Sequence, residues 1–386
     1  MTKEEKKTLE KRLASLDSNE RNRLLKRAAQ MRKLAQRKNG TRPRRAYLAL
    51  AEDDEPEEIG IRQPQSSLHD WVLKLLQDEE SGEAAASTPR HPVGTVIAIG
   101  PRSAEVVLDG KMLTCLLSKE IAERQQSEIA VGDEVEVLRR GDDAIVENVR
   151  PRRTRLSRPD PHVAAQERVI VANVDVVVVV VSVVSPPLHP RLIDRYLIAI
   201  RRGGAQAVLC INKTDLLEPA ALEAELEAIR PYLGLGVPVI RCSASQGIGK
   251  EELRQALAGK VSAFVGHSGV GKSSLLNSMK PDLDLEVGDV SQGYGRGTHT
   301  TTRSTMWDLG DGTRVIDTPG VRSFGLWKLT AEELPWYFPE FGEAGRCKFR
   351  DCGHTHEPTC AVKSAVEDGR ISRDRYETYL RILESL

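Results

Sequence analysis

The strongest constraint on this chain is the eight-residue stretch Gly266–Ser273, which reads Gly-His-Ser-Gly-Val-Gly-Lys-Ser. Two glycines enclose four residues and are followed by Lys and Ser, the pattern of a phosphate-binding loop. The apolar run Val261–Val265 before it is typical of a strand, and Lys272–Met279 after it is typical of a helix. A strand that turns through glycines into a helix directs backbone N–H groups and the positive end of the helix dipole at one point, where polyphosphate binds.

This loop predicts two specific contacts. Lys272 would reach the β- and γ-phosphates of a nucleotide, and the Ser273 hydroxyl would hold Mg²⁺. A glycine-rich turn that matches by chance is the alternative, and the flanking strand and helix argue against it. The loop residues expected to contact the nucleotide are Gly266, His267, Ser268, Gly269, Val270, Gly271, Lys272, Ser273 and Ser274.

A polar motif, Asn212-Lys-Thr-Asp, follows a strand-like run at the sheet edge where α/β folds bind ligands. Its Asp215 carboxylate can accept hydrogen bonds from the N1–H and 2-amino groups of guanine, whereas adenine would leave it unpaired. Asn212 would brace the loops, and Lys213 would lie over the base. A helix-capping turn is the alternative for the motif alone. Three residues after the next strand can bring a backbone N–H to the guanine O6: Ser243, Ala244 and Ser245.

Two further segments fit the γ-phosphate side of such a site. In Asp317-Thr-Pro-Gly320, Asp317 can hold Mg²⁺ through water and the Gly320 N–H can sense the γ-phosphate. The glycine-rich segment 293–302 can supply a threonine to the Mg²⁺ shell when the γ-phosphate is present. Spacing does not choose between Thr301 and Thr302. The predicted magnesium ligands are therefore Ser273, Asp317 and either Thr301 or Thr302.

Strands and helices alternate over residues 166–326, with one helix predicted over Ala220–Tyr232, which predicts a doubly wound α/β domain. The β-branched run Val174–Val181 is typical of a strand buried on both faces. The base-reading motifs precede the phosphate loop, so we expect a circular permutation, which compact domains with neighbouring termini tolerate. As a result, the segment after Gly320 runs directly into the C-terminal region.

Short strands punctuated by glycines fill residues 91–158 and predict a small closed barrel, with an OB-fold preferred. The exit of this barrel, Arg150–Arg158, carries five arginines. We expect them to offer a phosphate-backbone surface. A barrel that only packs on its neighbour is the alternative.

A cysteine-rich segment lies within residues 327–386. The pattern supplies three thiolates and one imidazole, enough for a closed tetrahedral zinc site with a structural role. The predicted ligands are Cys347, Cys352, His354 and Cys360. His356 is a spare donor, and a helix over Arg373–Leu386 should close this small zinc-binding domain.

Residues 1–90 form an extension of uneven charge. Residues 1–45 carry 16 Lys and Arg against 5 Asp and Glu, and residues 52–83 carry 11 acids against two basic residues. A basic arm beside an acidic segment suggests a tail that acts on nucleic acid. We expect this extension to be poorly ordered, either as a solvated helix or as one that folds on RNA.

The remaining sequence features concern the cellular location of the protein. The longest apolar run, Val169–Val184, contains Asn173 and Asp175 and is too short to span a bilayer. No apolar region follows the N-terminus, and early glutamates argue against a transit peptide. Six cysteines in 386 residues do not form a disulfide framework. We expect a cytoplasmic monomer that does not contact membranes.

The permuted motif order, Gly-Thr-His-Thr-Thr-Thr and Asp-Thr-Pro-Gly-Val-Arg-Ser-Phe-Gly-Leu together resemble the circularly permuted GTPases of small ribosomal subunit biogenesis, the RsgA (YjeQ/YloQ) family. The resemblance covers residues 91–386 and not residues 1–90. It implies an OB-fold barrel, a permuted P-loop GTPase domain and a zinc domain. It also implies GTP or GDP, Mg²⁺ and one Zn²⁺ as ligands.

By this resemblance the protein hydrolyses GTP on the small (30S) ribosomal subunit and its 16S-type rRNA, to drive or check late maturation. Val321 stands where many GTPases carry a water-orienting Gln, and the family's switch histidine corresponds to His299. We therefore expect His299 to be catalytic by orienting water; a histidine that only shapes the loop is the alternative. The alternative function is an RNA-binding assembly factor that uses the nucleotide mainly as a structural switch.

Overall fold

The computed structural model describes residues 89–141, 143–160, 166–285, 304–320, 324–349 and 351–386. The predictions for residues 1–88, His299, Thr301 and Thr302 lie outside this range. Residues His91–Leu386 form one unit. Among the described residues, no helix is long and apolar enough to cross a membrane.

Five strands with two short helices build the first part of the fold. They are β1 (Val93–Gly100), β2 (Ser103–Leu108), β3 (Lys111–Leu117), α1 (Lys119–Glu123), α2 (Gln125–Glu128), β4 (Glu134–Arg140) and β5 (Asp143–Val149). Strand β1 pairs with both β2 and β4, and β3 pairs in parallel with β5, so the sheet closes on itself. Its interior is filled by Val96, Val106, Cys115, Val135 and Val146, all 0% exposed. This five-stranded barrel matches an OB-fold, as predicted.

The arginine-rich exit of the barrel makes internal ion pairs. The Arg152 side chain is 14% exposed, and its Nε donates to the buried Asp133 carboxylate at 2.7 Å. Three other arginines lie next to carboxylates at 3.3–3.6 Å: Arg150 beside Glu136, Arg153 beside Asp175 and Arg155 beside Glu167. Arg150 and Arg152 are therefore largely enclosed by these pairs, whereas the side chains of Arg153 and Arg155 stay 64% and 54% exposed. The phosphate-backbone surface at this exit stays a prediction.

A two-stranded antiparallel sheet follows the exit, formed by β6 (Arg155–Pro159) and β7 (Glu167–Ala172). Sequence patterning did not predict this hairpin. Its strands are five and six residues long, and β6 carries the arginines that masked its alternation.

The nucleotide-binding part is an α/β sheet with helices on both faces. Its strands are β8 (Val176–Ser182), β9 (Gln206–Asn212), β10 (Val239–Arg241), β11 (Val261–Val265), β12 (Thr305–Gly310) and β13 (Thr313–Asp317). Its helices are α3 (Pro190–Gly203), α4 (Pro219–Leu226), α5 (Arg230–Leu233), α6 (Lys250–Leu257) and α7 (Lys272–Met279). The order is β10-β9-β8-β11-β13-β12, with only β12 antiparallel to its neighbour β13. The predicted doubly wound sheet is confirmed.

Strand β8 lies inside this sheet, and all seven of its residues are buried. Because side chains alternate between faces, Val177, Val179 and Val181 pack towards α3. Val176 and Val178 pack towards α6 and α7. Burial on both faces explains why the strand is a continuous run of valines.

The helix predicted over 220–232 is divided into α4, a 3₁₀ turn (Glu227–Ile229) and α5. Pro231 lies at the start of α5, and proline cannot donate the backbone hydrogen bond that a continuous helix requires. A second difference concerns β12, which pairs at one edge with β1 and so joins the barrel and the α/β sheet into eleven strands.

The C-terminal part consists of three helices, α8 (Pro339–Glu343), α9 (Ala361–Glu367) and α10 (Arg373–Glu384), after a 3₁₀ turn at Leu334–Tyr337. Rings of Phe338, Phe341 and Tyr379 pack with centroids 4.9–5.4 Å apart. They belong to the same buried cluster as Ile193 and Tyr196 of α3. The C-terminal part therefore shares a continuous apolar core with the α/β sheet.

Candidate nucleotide and metal sites

The phosphate loop connects β11 to α7 and has the predicted strand–turn–helix form. Gly271 precedes the helix with φ +92°, and a Cβ at this position would lie 2.4 Å from Nδ2 of Asn212. Only glycine fits such a close approach in a left-handed conformation. His267 donates from Nδ1 to the Ser268 carbonyl at 2.7 Å, and Ser274 lies in the first turn of α7.

Lys272 is 7% exposed, and its side chain folds back over the loop. Its Nζ donates to the carbonyls of Gly266 and His267, at 3.1 Å each. Burial lowers the pKa of Lys272 to about 8, against an opposing attraction from Asp317. A polyphosphate would place negative charge beside this buried ammonium and stabilise its charged form, so the loop fits that ligand.

The base-reading loop and the phosphate loop lie side by side. Asn212 is 1% exposed, and its Nδ2 donates to the Val270 carbonyl at 2.9 Å. Its Oδ1 accepts from the Ala244 N–H at 3.3 Å. One amide therefore connects three segments that the sequence separates by 58 and 32 positions.

Asp215 is oriented by the serines of the third segment. Ser245 donates from Oγ to Oδ2 of Asp215 at 2.8 Å, and the Ser243 and Ser245 hydroxyls are 3.0 Å apart. Slight burial alone would raise the pKa of Asp215, but hydrogen bonds from both serines lower it overall. An ionised carboxylate is the acceptor that the two guanine donors require.

Lys213 stands beside this carboxylate in the left-handed conformation, with φ +62°. Partial burial lowers the pKa of Lys213, and Asp215 opposes that effect. Its ammonium donates to the carbonyl of Ser185, a residue that sequence analysis did not single out.

The predicted magnesium ligands Ser273 and Asp317 are in contact. Ser273 donates from Oγ to Oδ2 of Asp317 at 3.0 Å, and Asp317 is 2% exposed. A hydroxyl beside a buried carboxylate is an oxygen donor set that suits Mg²⁺. The third predicted ligand, Thr301 or Thr302, belongs to the undescribed part.

The segment after β13 approaches the phosphate loop closely. A Cβ on Gly320 would lie 2.6 Å from Cα of Ser268, so only glycine fits there. Thr318 donates from Oγ1 to the Phe264 carbonyl at 2.6 Å and attaches this segment to β11. Sequence analysis missed Thr318, although its position between Asp317 and Gly320 was a signal.

Four donors come together in the C-terminal part: Cys347, Cys352, His354 and Cys360, with their ligand atoms all within 4.8 Å of one another. The Cys347 Sγ lies 3.6 Å from Nδ1 of His354 and 3.9 Å from the Cys360 Sγ, while Nδ1 to Cys360 Sγ is 3.4 Å. Tetrahedral zinc with Zn–S bonds of about 2.3 Å sets ligand atoms roughly 3.5–3.8 Å apart. The donor set therefore fits Zn²⁺.

Two tyrosines of α10 hold the loop that carries these four donors. Tyr376 donates to the His354 carbonyl at 2.6 Å, and Tyr379 donates to the Gly353 carbonyl at 2.8 Å. His356 is exposed and bonds Thr355, apart from the four donors. Such hydrogen bonds orient ligands around a metal, and the tyrosines were not foreseen because they lie more than twenty positions along the chain.

Comparison with known proteins agrees with this geometry. A family model described as RsgA GTPase matches residues 149–327. A curated relative from Shewanella oneidensis, named small ribosomal subunit biogenesis GTPase RsgA, is 41% identical over 302 residues, covering 76% of this chain and 83% of the relative.

Two solved structures are also similar. The crystal structure of YjeQ from Thermotoga maritima superposes with a TM-score of 0.60 at 35% identity, covering 76% of this chain and 98% of that one. YloQ, described as a circularly permuted GTPase, superposes with a TM-score of 0.56 at 28% identity, covering 78% and 97%. With its base-reading loop ahead of its phosphate loop, the chain belongs to the RsgA GTPase family and hydrolyses GTP.

Proposed function

We propose that this GTPase acts in the biogenesis of the small ribosomal subunit, binding the subunit in one nucleotide state and leaving it in the other. The support is the name shared by its relatives together with one structural relationship. The segment that begins at Gly320 against the phosphate loop continues along the chain into the zinc-binding part. A change at the γ-phosphate therefore has a short covalent route to the C-terminal surface.

The nucleotide chemistry we propose uses the motifs in assigned roles. Asp215 reads guanine, Lys272 contacts the β- and γ-phosphates, and Ser273 and Asp317 hold Mg²⁺ together with Thr301 or Thr302. The ion, when bound, neutralises charge that develops on the phosphate oxygens. The remaining base and phosphate contacts come from the loop residues predicted above.

For hydrolysis we propose that His299 orients the attacking water. Val321 occupies the position of the usual Gln and cannot polarise water. A neutral imidazole can accept a proton from water and align it with the γ-phosphate.

We further propose that Zn²⁺ is structural, because four protein donors leave no open position. The partner surface would contact 16S-type rRNA, in the cytoplasm and as a monomer. Domain limits of 91–158, 166–326 and 327–386 follow from the strand and helix patterns, with 1–90 as a separate extension.

The test measures GTP hydrolysis with and without purified small subunits, and cosedimentation with GDP or a non-hydrolysable GTP analogue. We expect faster turnover with subunits and different retention in the two nucleotide states. Lys272→Ala, which should lose nucleotide, is the matched control for nucleotide-dependent sedimentation. No stimulation and equal sedimentation would instead favour an RNA-binding assembly factor with a structural nucleotide.

A further inference from the structure

A turn that none of the nucleotide motifs includes lies between β8 and α3. Ser182, the last residue of β8, is 1% exposed and donates from Oγ to the Pro186 carbonyl at 2.7 Å. The Val183 N–H donates to the Asn212 carbonyl at 3.3 Å. The turn is thus held by its own strand and by the base-reading strand.

A carbonyl in this turn accepts a hydrogen bond from Lys213, the lysine of the base-reading loop. Nζ of Lys213 donates to the Ser185 carbonyl, while the backbone of Lys213 belongs to the base loop 28 positions away. A free lysine side chain samples many rotamers, so holding it in one position costs conformational entropy. A fixed carbonyl at its tip restricts the four-carbon stem to the path between these two segments.

The same turn lies close to the phosphate loop. A Cβ built on Gly269 would lie 3.7 Å from Cδ of Pro186, which is ordinary van der Waals contact. A Cβ on Gly271 would lie 4.0 Å from Cε of Lys213. The lysine stem therefore passes along the phosphate loop on its way to Ser185.

We propose that Ser182 is a positioning residue for guanine nucleotide. Ser182 orders the turn, and the Ser185 carbonyl of that turn holds the Lys213 side chain in one position at the base end of the site. The fixed side chain slows nucleotide release. The inference rests on the nucleotide site described under the proposed function. Ser182 acts through Lys213 and does not itself touch the nucleotide.

The chemistry predicts which ligands are affected. Removing the Ser182 hydroxyl leaves the half-buried Pro186 carbonyl without this donor, so the turn shifts and the Lys213 ammonium loses its acceptor. The Lys213 side chain lies at the base end of the nucleotide site and not at the γ-phosphate. Release of GDP and of GTP should therefore accelerate by the same factor, about tenfold for a loss of this size.

The experiment uses the full chain and follows release of N-methylanthraniloyl-GDP by stopped-flow fluorescence. Four proteins form a double-mutant cycle: wild type, Ser182→Ala, Lys213→Met and the double variant. We expect each single variant to release nucleotide about tenfold faster, and the double variant to be no faster than Lys213→Met alone, because coupled residues are not additive. Lys213→Arg, which keeps a donor at the tip, should retain slow release.

Thr154→Val is the matched control, because Thr154 also donates a buried hydroxyl to a backbone carbonyl, that of Val174 at 2.6 Å. It should leave release unchanged. Multiplying effects in the double variant, or an unchanged rate in Ser182→Ala, would overturn the proposal. If Ser182→Ala does not fold, equally fast release by Lys213→Arg and Lys213→Met would overturn it. Wild type that retains no labelled GDP would overturn the nucleotide site itself.

Discussion

The guanidinium of Arg375 donates to the carboxylate of Asp194, although the two residues lie 181 positions apart. Arg375 is 4% exposed and Asp194 is 2% exposed. The pair joins α10 of the C-terminal part to α3 of the α/β sheet. Glu340 accepts a second bond from Arg375, and the guanidinium lies over the rings of Tyr232 and Phe338 at 5.3 and 4.9 Å.

This buried pair predicts a pH dependence of stability. Burial raises the pKa of Asp194 to about 6, against the attraction of Arg375. The carboxyl is therefore protonated up to a higher pH in the folded chain than in the unfolded chain, where its pKa is near 3.8. Its contribution is fully present below about pH 4 and is lost as the pH rises through about 6, by up to about 3 kcal/mol.

Asp194→Asn removes that titration. Measured by urea unfolding from pH 4.5 to 7, the variant should gain stability relative to wild type as the pH rises. If the wild type instead gained stability relative to Asp194→Asn as the pH rises, the attraction of Arg375 would outweigh the effect of burial on the Asp194 pKa.

Lys272 predicts a pH dependence of nucleotide affinity. Its pKa of about 8 in the free loop should rise when phosphates bind, so binding takes up a proton above that pH. Affinity should be full below about pH 8 and fall between about pH 8 and 9, approaching tenfold per pH unit. Calorimetry at pH 8.5 in two buffers of different ionisation enthalpy counts the protons.

Lys272→Arg provides the comparison, because arginine stays charged throughout this range. Whatever its affinity, this variant should take up no proton. Proton uptake equal to that of wild type would assign the titration to another group.

Asp215→Asn should change which base is accepted. An amide N–H₂ cannot accept from the guanine 2-amino group but can donate to the oxygen that xanthine carries there. GDP affinity should fall by about a hundredfold or more while xanthosine diphosphate improves. Competition against labelled GDP measures both, with the exposed Glu218→Gln as control. An unchanged preference would reassign the base reader.

His299→Ala tests the water-orienting role. Loss of a positioned general base typically lowers turnover by about 10²–10⁴-fold. Single-turnover hydrolysis should slow by this order while the affinity for GTP stays within twofold or so of wild type, because no binding contact is removed. Equal turnover would leave His299 a role in shaping the loop only.

Removal of zinc should loosen the C-terminal part. Cys347→Ser leaves three of the four donors, so we expect loss of bound zinc and faster amide exchange across α8 and α10. Both helices contact the loop, through the Phe341 ring beside His354 and through the Tyr376 and Tyr379 hydroxyls. His356→Ala, outside the donor set, should keep one zinc per chain. Unchanged exchange without zinc would mean that the aromatic core alone supports this segment.

Much of the fold could be predicted because its signals are local. In β8 and in the barrel strands, a stretch of a few residues is enough to predict a buried strand: a run of valines in the first case, and short apolar runs between glycines in the second. The phosphate loop can likewise be predicted from the sequence, because one strand, one turn and one helix that are consecutive in the chain supply all its backbone donors. Pro231 is a local signal as well, because it accounts for the 3₁₀ turn that divides the helix predicted over 220–232.

Sequence alone therefore determined the classes of chemistry, the order of the motifs and the four candidate zinc donors, because each depends on residues close together along the chain. Only the tertiary structure decided which charges are available: it pairs Arg152 with Asp133 and Arg375 with Asp194, and it brings Ser185 to the tip of Lys213. Those partners lie 19, 181 and 28 positions apart. No local pattern specifies such contacts, because they exist only once the packed core has fixed the elements that carry them.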